Sequence, residues 1–247
     1  MSSRNIRLLI AYDGTDFQGW QRQLQAPTIQ GTLEAVLQKI TGEPIVLNGA
    51  GRTDAGVHAW GQVAHFKTLS ALTPEKWHSA LNALLPLDIR LRSVQESPPD
   101  FHARYESRLK TYDYYLLNGS WPAPFYRRYS WWIGQPLDFN LMGRGLSGLR
   151  GTHDFSAYQT AGSDVRQAVR TLFQADLTRL RRGGVRLRFQ ADGFLRHMVR
   201  NLVGSLVRLG MQKITLGQWQ EILVSRDRAQ AGAMAPAQGL FLRKVIY

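Results

Sequence analysis

The chain has 247 residues, of which 44% are hydrophobic and 20% charged, a composition typical of a globular protein with one large domain or two smaller ones. It contains no cysteine, which excludes disulfides, thiolate metal sites and a cysteine nucleophile. Its formal net charge of +13 favours a polyanionic partner, above all nucleic acid.

The positive charge is concentrated in the second half of the chain. Residues 1–107 contain 10 basic and 10 acidic side chains, whereas residues 108–247 contain 21 basic and 8 acidic ones. Most of the basic side chains are arginine, whose planar guanidinium suits phosphate contacts and stacks on bases. Apolar stretches are too short to span a bilayer, and the N-terminus lacks the long apolar stretch of a signal peptide. We therefore expect a cytoplasmic protein without membrane contact.

The first half of the chain alternates between strand-like and helix-like patterns. Between residues 29 and 40 apolar side chains recur at helical spacing, with Thr28 as N-cap and Gly42 after the end. The predicted elements are a strand at 6–12, a helix at 29–40, strands at 44–47 and 62–67, a helix at 74–84 and a strand at 89–94. This order is that of a split βαβ unit, in which two helices cover one face of an antiparallel sheet.

A second copy of the same order follows in the other half. Its predicted elements are a strand at 109–117, a helix at 139–146, strands at 169–177 and 185–191, a helix at 195–209 and a strand at 241–246. Residues 120–136 and 225–238 are expected to be surface loops. We therefore predict an α+β fold of two fused ferredoxin-like halves, 1–107 and the strongly basic 108–247. Their sheets are expected to form one extended antiparallel sheet, with helices on one face and a central catalytic cleft.

The connection between the strands 44–47 and 62–67 is rich in glycine and carries one acid. Glycine lets a large ligand approach the backbone, and Arg52 and Asp54, two apart in extended chain, are expected to point the same way. A neighbouring guanidinium favours the ionised carboxylate that a nucleophile requires. Taken alone, the pattern still favours a turn in which Asp54 accepts backbone hydrogen bonds.

This connection does not match the common nucleotide and metal motifs. Gly51 and Gly56 have the spacing of a P-loop, but Val57 and His58 stand where Lys and Ser or Thr are required. The dinucleotide fingerprint fails as well, because no glycine stands three residues after Gly51. None of the six histidines has another histidine four residues away. We predict neither a metal nor a cofactor.

Residues 49–59, with the sequence GAGRTDAGVHA, resemble the signature of the TruA family of tRNA pseudouridine synthases. Similar matches follow one another along nearly the whole chain. They are YDGT at 12–15, FQGWQ at 17–21, TIQG at 28–31, FHAR at 101–104, KTYDY at 110–114, HMVRN at 197–201 and APAQGL at 235–240.

The resemblance implies an isomerase that converts uridine to pseudouridine in the anticodon stem-loop of tRNA, at positions 38, 39 or 40, without a cofactor. It implies that Asp54 is the nucleophile, that Arg200 pairs with Asp54, and that Arg52 helps to displace the flipped nucleotide. Tyr112 is expected to pack on the uracil ring, with Leu240 nearby. The remaining candidate substrate contacts are His58, Gln62, Arg179, Arg181 and Arg182. A homodimer in which one tRNA contacts both subunits is also implied.

Other functions share these features. A pseudouridine synthase for another RNA or another site would carry the same active-site residues, and a non-catalytic RNA-binding protein can keep the fold without the chemistry. A nuclease that uses Asp54 would need Mg²⁺. The arginines of residues 179–188 bracket Gly183 and Gly184, which predicts a basic hairpin that contacts the RNA backbone rather than a merely solvated face.

Overall fold

The computed structural model describes residues 3–162 and 167–247, except for the side chain of Arg182. The chain divides into two compact units. The first contains Met1–Arg108 and Leu242–Tyr247, and the second contains Leu109–Phe241. Within residues 3–162 and 167–247, no helix is long and apolar enough to cross a membrane.

The first unit has the strand and helix order of a split βαβ fold. Its elements are β1 (Arg4–Tyr12), α1 (Ile29–Thr41), β2 (Asn48–Gly49), β3 (His58–Thr68), α2 (Pro74–Leu84) and β4 (Ile89–Ser97). β1 lies between β4 and β3 and is antiparallel to both, and the short β2 pairs with β3. β1 and β3 are therefore the central strands, and the connection from β2 to β3 lies at one end of β3.

Capping side chains and one buried face explain the two helices of this unit. Thr28 accepts the N–H of Gly31 at 3.2 Å at the start of α1, and Gly42 ends it with a φ of 77°. The apolar residues of β1 alternate with more exposed ones, so one face of the sheet is covered. Phe66 of β3 and Trp77 of α2 lie edge to face in this core, with ring centroids 5.3 Å apart.

The second unit contains a longer series of elements. These are β5 (Leu109–Asn118), β6 (Trp131–Ile133), α3 (Phe139–Ser147), β7 (Gly151–Asp154), β8 (Val169–Arg179), β9 (Gly184–Ala191), α4 (Met198–Gly210), α5 (Leu216–Ser225) and β10 (Leu240–Ile246). The strands lie in the order β5, β9, β8, β7 with antiparallel neighbours, and β6 pairs in parallel with β5. β10 begins in this unit, and its residues from Leu242 onward belong to the first unit.

The three helices of the second unit meet at a glycine. A Cβ atom at Gly145 of α3 would lie 2.6 Å from a methyl group of Leu209 in α4, so any larger residue would force the Leu209 side chain to shift. The indole N–H of Trp219 in α5 donates to the carbonyl of Gly145 at 3.0 Å. Trp219 is buried, and this hydrogen bond satisfies its one polar atom.

The predicted α+β class is confirmed, but one predicted strand is wrong. Residues 44–47 form no strand, because side chains of α1 satisfy the backbone there. The N–H of Leu47 donates to the Glu34 carboxylate at 3.0 Å, and its carbonyl accepts the Gln30 amide at 2.9 Å. β6, β7 and α5 are not among the elements that the sequence predicts, although the capping box of Thr215 and Gln218 marks the start of α5.

Candidate active site and RNA-binding residues

Asp54 lies on the loop between β2 and β3, which we call the Asp54 loop (residues 50–57). The carbonyl of Asp54 accepts the N–H of Val57 at 3.1 Å, and Gly56 takes a φ of 74°, a conformation that favours glycine. Val57 is buried, whereas Asp54 is partly exposed. This turn therefore fixes the backbone on one side of Asp54 while part of the residue remains accessible.

The segment between β1 and α1 holds the backbone of the Asp54 loop from the outside. Trp20 donates its N–H to the carbonyl of Thr53 at 3.0 Å, and Gly56 donates its own to the carbonyl of Phe17 at 3.3 Å. The backbones approach so closely that a Cβ atom at Gly19 would lie 2.6 Å from the carbonyl oxygen of Thr53. Gly19 also has a φ of 85°, so two independent reasons require glycine there.

Two buried side chains hold the same loop from the strands beneath it. The hydroxyls of Tyr12 in β1 and Thr53 lie 2.8 Å apart, and the amide of Gln62 in β3 donates to the carbonyl of Gly51 at 2.8 Å. Burial raises the pKa of Tyr12 well above its usual range, which keeps its hydroxyl protonated. Residues 51 and 53 are thus both tied to the sheet, one on each side of Arg52.

His58 lies at the base of the loop rather than on its surface. Its side chain is buried, and its Nδ1 lies 3.1 Å from the N–H of Gly14 and 3.0 Å from a carboxylate oxygen of Asp13. Since that oxygen of Asp13 also accepts the N–H of Thr15 at 3.0 Å, His58 is part of the hydrogen-bonded turn that follows β1. Gln62 is likewise fully buried. His58 and Gln62, which were predicted to contact the substrate, therefore lie beneath the Asp54 loop and support it.

Arg52 and Asp54 differ in exposure. Arg52 is exposed to solvent, and Asp54 is only partly so. Thr53, the residue between them, is buried and points to Tyr12. The alternation is consistent with the expected extended chain, in which the side chains of residues 52 and 54 leave the backbone on the side opposite Thr53.

The other predicted catalytic residues belong to the second unit. Tyr112 lies on β5 opposite Phe189 of β9, and its ring meets Phe194 edge to face at 5.0 Å. Arg200 lies in the first turn of α4, where its Nε donates to the carbonyl of Ala235 at 2.9 Å. The N–H of Ala235 in turn donates to the carbonyl of Arg200 at 3.1 Å. This pair of hydrogen bonds ties α4 to residues 235–240.

Leu240 lies at the start of β10, next to the segment that Arg200 holds. It is buried, with a relative exposure of 5%. The preceding Gly239 packs against the ring of Tyr114, whose hydroxyl donates to the carbonyl of Pro236 at 2.8 Å. Residues 236–240 are thereby fixed to β5, the strand that carries Tyr112.

The predicted basic hairpin exists, but its arginines are not equivalent. Residues 180–183 connect β8 to β9. Arg181 is exposed, and the guanidinium of Arg179 lies over the ring of Phe139 at 5.0 Å. The side chain of Arg182 lies outside the described part of the chain.

Arg188, at the far end of the same hairpin, has a structural partner. Its Nε and one Nη donate to the two carboxylate oxygens of Asp113 at 2.7 and 2.8 Å. The Asp113 side chain is completely buried, so this ion pair neutralises a charge in the interior. Arg188 therefore differs from the exposed Arg181, because its guanidinium is bonded to a buried carboxylate of the fold.

The structure adds residues to which the sequence analysis gave no role. Tyr12 and Thr53 support the Asp54 loop, although both lie in motifs that carry the resemblance. The described residues contain no group of three or more His, Asp or Glu side chains placed to hold a metal ion.

The chain is similar over nearly its whole length to curated proteins. It is 43% identical to the tRNA pseudouridine synthase A of Acetivibrio thermocellus over 99% of this chain and 100% of the relative. It is 45% identical to that of Moorella thermoacetica over 98% of this chain and 99% of the relative. A much weaker likeness joins it to a chain of the solved structure "Crystal Structure of a Cbf5-Nop10-Gar1 Complex". The TM-score is 0.36, with 14% identity over 82% of this chain and 45% of that chain.

A family model described as tRNA pseudouridine synthase matches residues 8–106 and 147–247. These two stretches contain the Asp54 loop with its supports, and also Arg200, Leu240 and the basic hairpin. Residues 107–146, which include Tyr112, lie between them. With most of its length matched and relatives above 40% identity along the entire chain, this protein belongs to the tRNA pseudouridine synthase family.

Proposed function

We propose that the protein is an isomerase that converts uridine to pseudouridine in tRNA, with Asp54 as its nucleophile. Membership of the tRNA pseudouridine synthase family supports the reaction. The observation that carries the role of Asp54 is the construction of its loop. A partly exposed carboxylate lies between residues whose backbone and side chains are hydrogen-bonded from both sides. Such a loop holds a reacting group in one position, which lowers the entropy that the reaction must overcome.

The reaction rearranges one nucleotide and needs no second reactant. The bond between C1′ of the ribose and N1 of uracil breaks, the detached base turns, and C1′ is joined to C5. The proton on C5 leaves and N1 gains one, so atoms and charges balance. A carboxylate can attack C1′, add to C6, or act as a base toward the sugar, and each route begins with ionised Asp54. No cofactor is part of the proposal.

The neighbouring residues have roles that follow from base flipping. A uridine in a stem must leave its stack at a cost of a few kcal/mol, and stacking on an aromatic ring returns about 1 to 3 kcal/mol. We assign this stacking to Tyr112 and propose that Leu240 packs near the same uracil ring. The exposed Arg52 displaces the flipped nucleotide, and Arg200 pairs with Asp54. His58 and Gln62 act indirectly, by positioning the Asp54 loop.

The proposed substrate site is the anticodon stem-loop, at positions 38, 39 or 40. An A-form stem hides its base edges, so shape, loop flexibility and phosphate contacts select the RNA. The exposed Arg181, with Arg179 and Arg182, supplies phosphate contacts from the basic hairpin. We further propose that the enzyme is a cytoplasmic homodimer in which one tRNA contacts both subunits. Sedimentation of the protein with and without tRNA tests the dimer.

Replacement of the nucleophile tests the proposed reaction. With tRNA tritiated at C5 of uridine, the wild type should release tritium at the rate at which pseudouridine forms. Asp54→Asn should bind the tRNA as tightly as the wild type and lose at least about a thousandfold in turnover. The matched control is Asp88→Asn, which removes the same charge from an exposed position between α2 and β4. Asp54→Asn with wild-type turnover would contradict the proposal.

Substrate variants separate the proposed function from its rivals. Three tRNAs, each with cytidine in place of uridine at position 38, 39 or 40, should lose pseudouridine at the replaced position only. A synthase for another site would modify all three tRNAs equally, and a non-catalytic RNA-binding protein would modify none. Product formation in the presence of EDTA would exclude the Mg²⁺-dependent nuclease.

A further inference from the structure

Exposed aromatic side chains lie close together in sequence on the connection from β5 to β6, which we call the aromatic–arginine loop (residues 121–129). Trp121 is 64% exposed and Phe125 is 88% exposed, and Tyr126 is exposed as well. Large aromatic side chains in water leave apolar area uncovered, and a contiguous group of them marks a binding surface more often than chance does. The loop lies between the two stretches that the family model matches.

The loop is held in place despite its exposure. A 3₁₀ turn covers Pro124–Tyr126, and the carbonyl of Tyr126 accepts both the N–H of Tyr129 and the hydroxyl of Ser130, each at 2.9 Å. After it, β6 pairs with β5, and the indole N–H of Trp132 donates to the carbonyl of Gly119 at 3.0 Å. Phe125 therefore lies in a hydrogen-bonded turn, and Trp121 follows the bonded Gly119 by two residues, which reduces the entropy lost when a ligand binds.

Charge decides which partner suits this surface. Arg127 and Arg128 follow the aromatic residues directly and are exposed, and the sequence has no acidic residue between Tyr114 and Leu137. Two copies of this loop facing each other would bring Arg127 and Arg128 against the same two arginines with no acidic residue in this stretch of the sequence, so they would repel each other. An RNA supplies phosphates for the arginines and base faces for the rings.

We propose that the aromatic–arginine loop binds unpaired nucleotides of the RNA substrate. Bases stack on Trp121 and Phe125, while Arg127 contacts the adjoining phosphates. Paired bases in an A-form stem do not offer their faces, so the occupant is a loop or a single-stranded end of the RNA. The proposal rests on the proposed function only in taking the RNA to be the tRNA substrate. It assigns a second contact, separate from the uridine that is isomerised.

Variants of the exposed side chains test this surface. The double variant Trp121→Ala and Phe125→Ala should weaken binding of tRNA and of a twelve-nucleotide oligouridylate by at least about tenfold, with the salt dependence unchanged. Arg127→Gln should instead reduce the slope of log Kd against log salt by about one. The matched control is Leu87→Ala, another highly exposed apolar side chain, which should bind both RNAs as the wild type does.

Three results would overturn the proposal. The first is wild-type affinity of the double variant for both RNAs. The second is a change in its sedimentation without a change in RNA affinity, since that would identify a second copy as the occupant. The third needs no variant. Wild-type protein is cross-linked to tRNA that contains 4-thiouridine, and the labelled peptides are identified. If other regions are labelled and residues 121–129 are not, this contact is excluded. We expect cross-links at Trp121 or Phe125.

The same measurements keep this proposal separate from the proposed function. If the wild type forms no pseudouridine but the double variant still loses affinity for oligouridylate, the reaction is refuted and the RNA contact remains. If the wild type forms pseudouridine and the double variant binds both RNAs unchanged, the RNA contact alone is refuted. Binding measured with Asp54→Asn protein avoids turnover during the titration.

Discussion

The hydroxyls of Tyr12 and Thr53 lie 2.8 Å apart, which ties the central strand β1 to the residue before Asp54. Both side chains are buried, so water cannot fully hydrate either hydroxyl if the other one is removed. A buried polar group that loses its partner costs about 1 to 3 kcal/mol. The Tyr12 hydroxyl thus contacts the residue next to the proposed nucleophile, and we expect it to help position Asp54.

Tyr12→Phe removes this hydrogen bond and keeps the ring. We expect the free energy of unfolding to fall by about 1 kcal/mol. Turnover should fall by about tenfold while the affinity for tRNA stays unchanged, because a displaced carboxylate weakens the reaction and not the docking of the RNA. Urea unfolding and single-turnover rates measure the two effects.

The control for Tyr12→Phe is another buried tyrosine. Among the described residues the hydroxyl of Tyr158 has no hydrogen-bond partner, although the ring is fully buried. Tyr158→Phe should therefore leave stability unchanged or raise it slightly, and turnover should stay at the wild-type rate. Equal losses in the two variants would show that the Tyr12–Thr53 contact has no special effect on the Asp54 loop.

Gly19→Ala should displace the Asp54 loop, in addition to the strain that a positive φ at residue 19 imposes on alanine. The added methyl group would lie 2.6 Å from the carbonyl oxygen of Thr53, so the loop must move. We expect turnover to fall by more than about tenfold, measured by tritium release at saturating tRNA. A variant that keeps its turnover would mean that the loop accommodates the methyl group without moving Asp54.

Gly42→Ala measures, for comparison, the cost of placing alanine at a positive φ without a steric clash. Gly42 has a similar φ of 77°, but a Cβ atom there would meet nothing within 4 Å. The substitution should cost about 1 to 2 kcal/mol of stability through the strained φ alone. It should leave turnover at the wild-type rate, since α1 ends there in open space.

The sequence predicted those parts of the fold that depend on local pattern. The helix at 74–84 was predicted at its observed bounds, because Thr73 and Pro74 mark its start and apolar spacing marks its face. The strand at 44–47 was predicted wrongly, because the hydrogen bonds of Leu47 go to Gln30 and Glu34 of α1. No local pattern reports that competition between a sheet and distant side chains.

The same limit applies to the site. Resemblance singled out Asp54 and Arg52, whereas the support of their loop depends on contacts between residues about 40 apart, such as Tyr12 with Thr53. The pairing of Arg188 with Asp113 spans 75 residues and was equally hidden. The charge pattern gave all arginines of residues 179–188 the same role. Arg188 differs because it pairs with the buried carboxylate of Asp113.

The stability of the first unit should depend on pH through His65. Its Nδ1 accepts the N–H of Ala103 at 3.2 Å. Burial, with the nearby imidazole of His102, lowers the pKa of His65 to about 4. This value lies below the unfolded value of about 6.5, so the fold prefers the neutral ring. The contribution to stability is therefore complete above about pH 6.5 and is lost as the pH falls toward 4.

His65→Gln tests this dependence. We expect the wild type to lose about 2 kcal/mol of unfolding free energy more than the variant does between about pH 7 and pH 4.5. Comparing each protein with itself at the two pH values cancels the constant cost of the substitution. Parallel curves for the two proteins would show that the His65 ring is not held neutral by its site.

Arg188→Gln and Arg181→Gln should separate structure from RNA binding within one hairpin. The Arg188 variant leaves the buried carboxylate of Asp113 without its guanidinium, so we expect a loss of about 2 to 3 kcal/mol in unfolding free energy and an unchanged salt slope for tRNA binding. Adding Asp113→Asn should recover much of that stability. Arg181 is exposed, and its variant should keep the stability while the salt slope falls by about one. Urea unfolding measures the stability, and the Kd for tRNA across a salt series measures the salt slope. If the Arg181 variant lost stability and the Arg188 variant lost salt slope, Arg188 would be the RNA contact and Arg181 the structural residue.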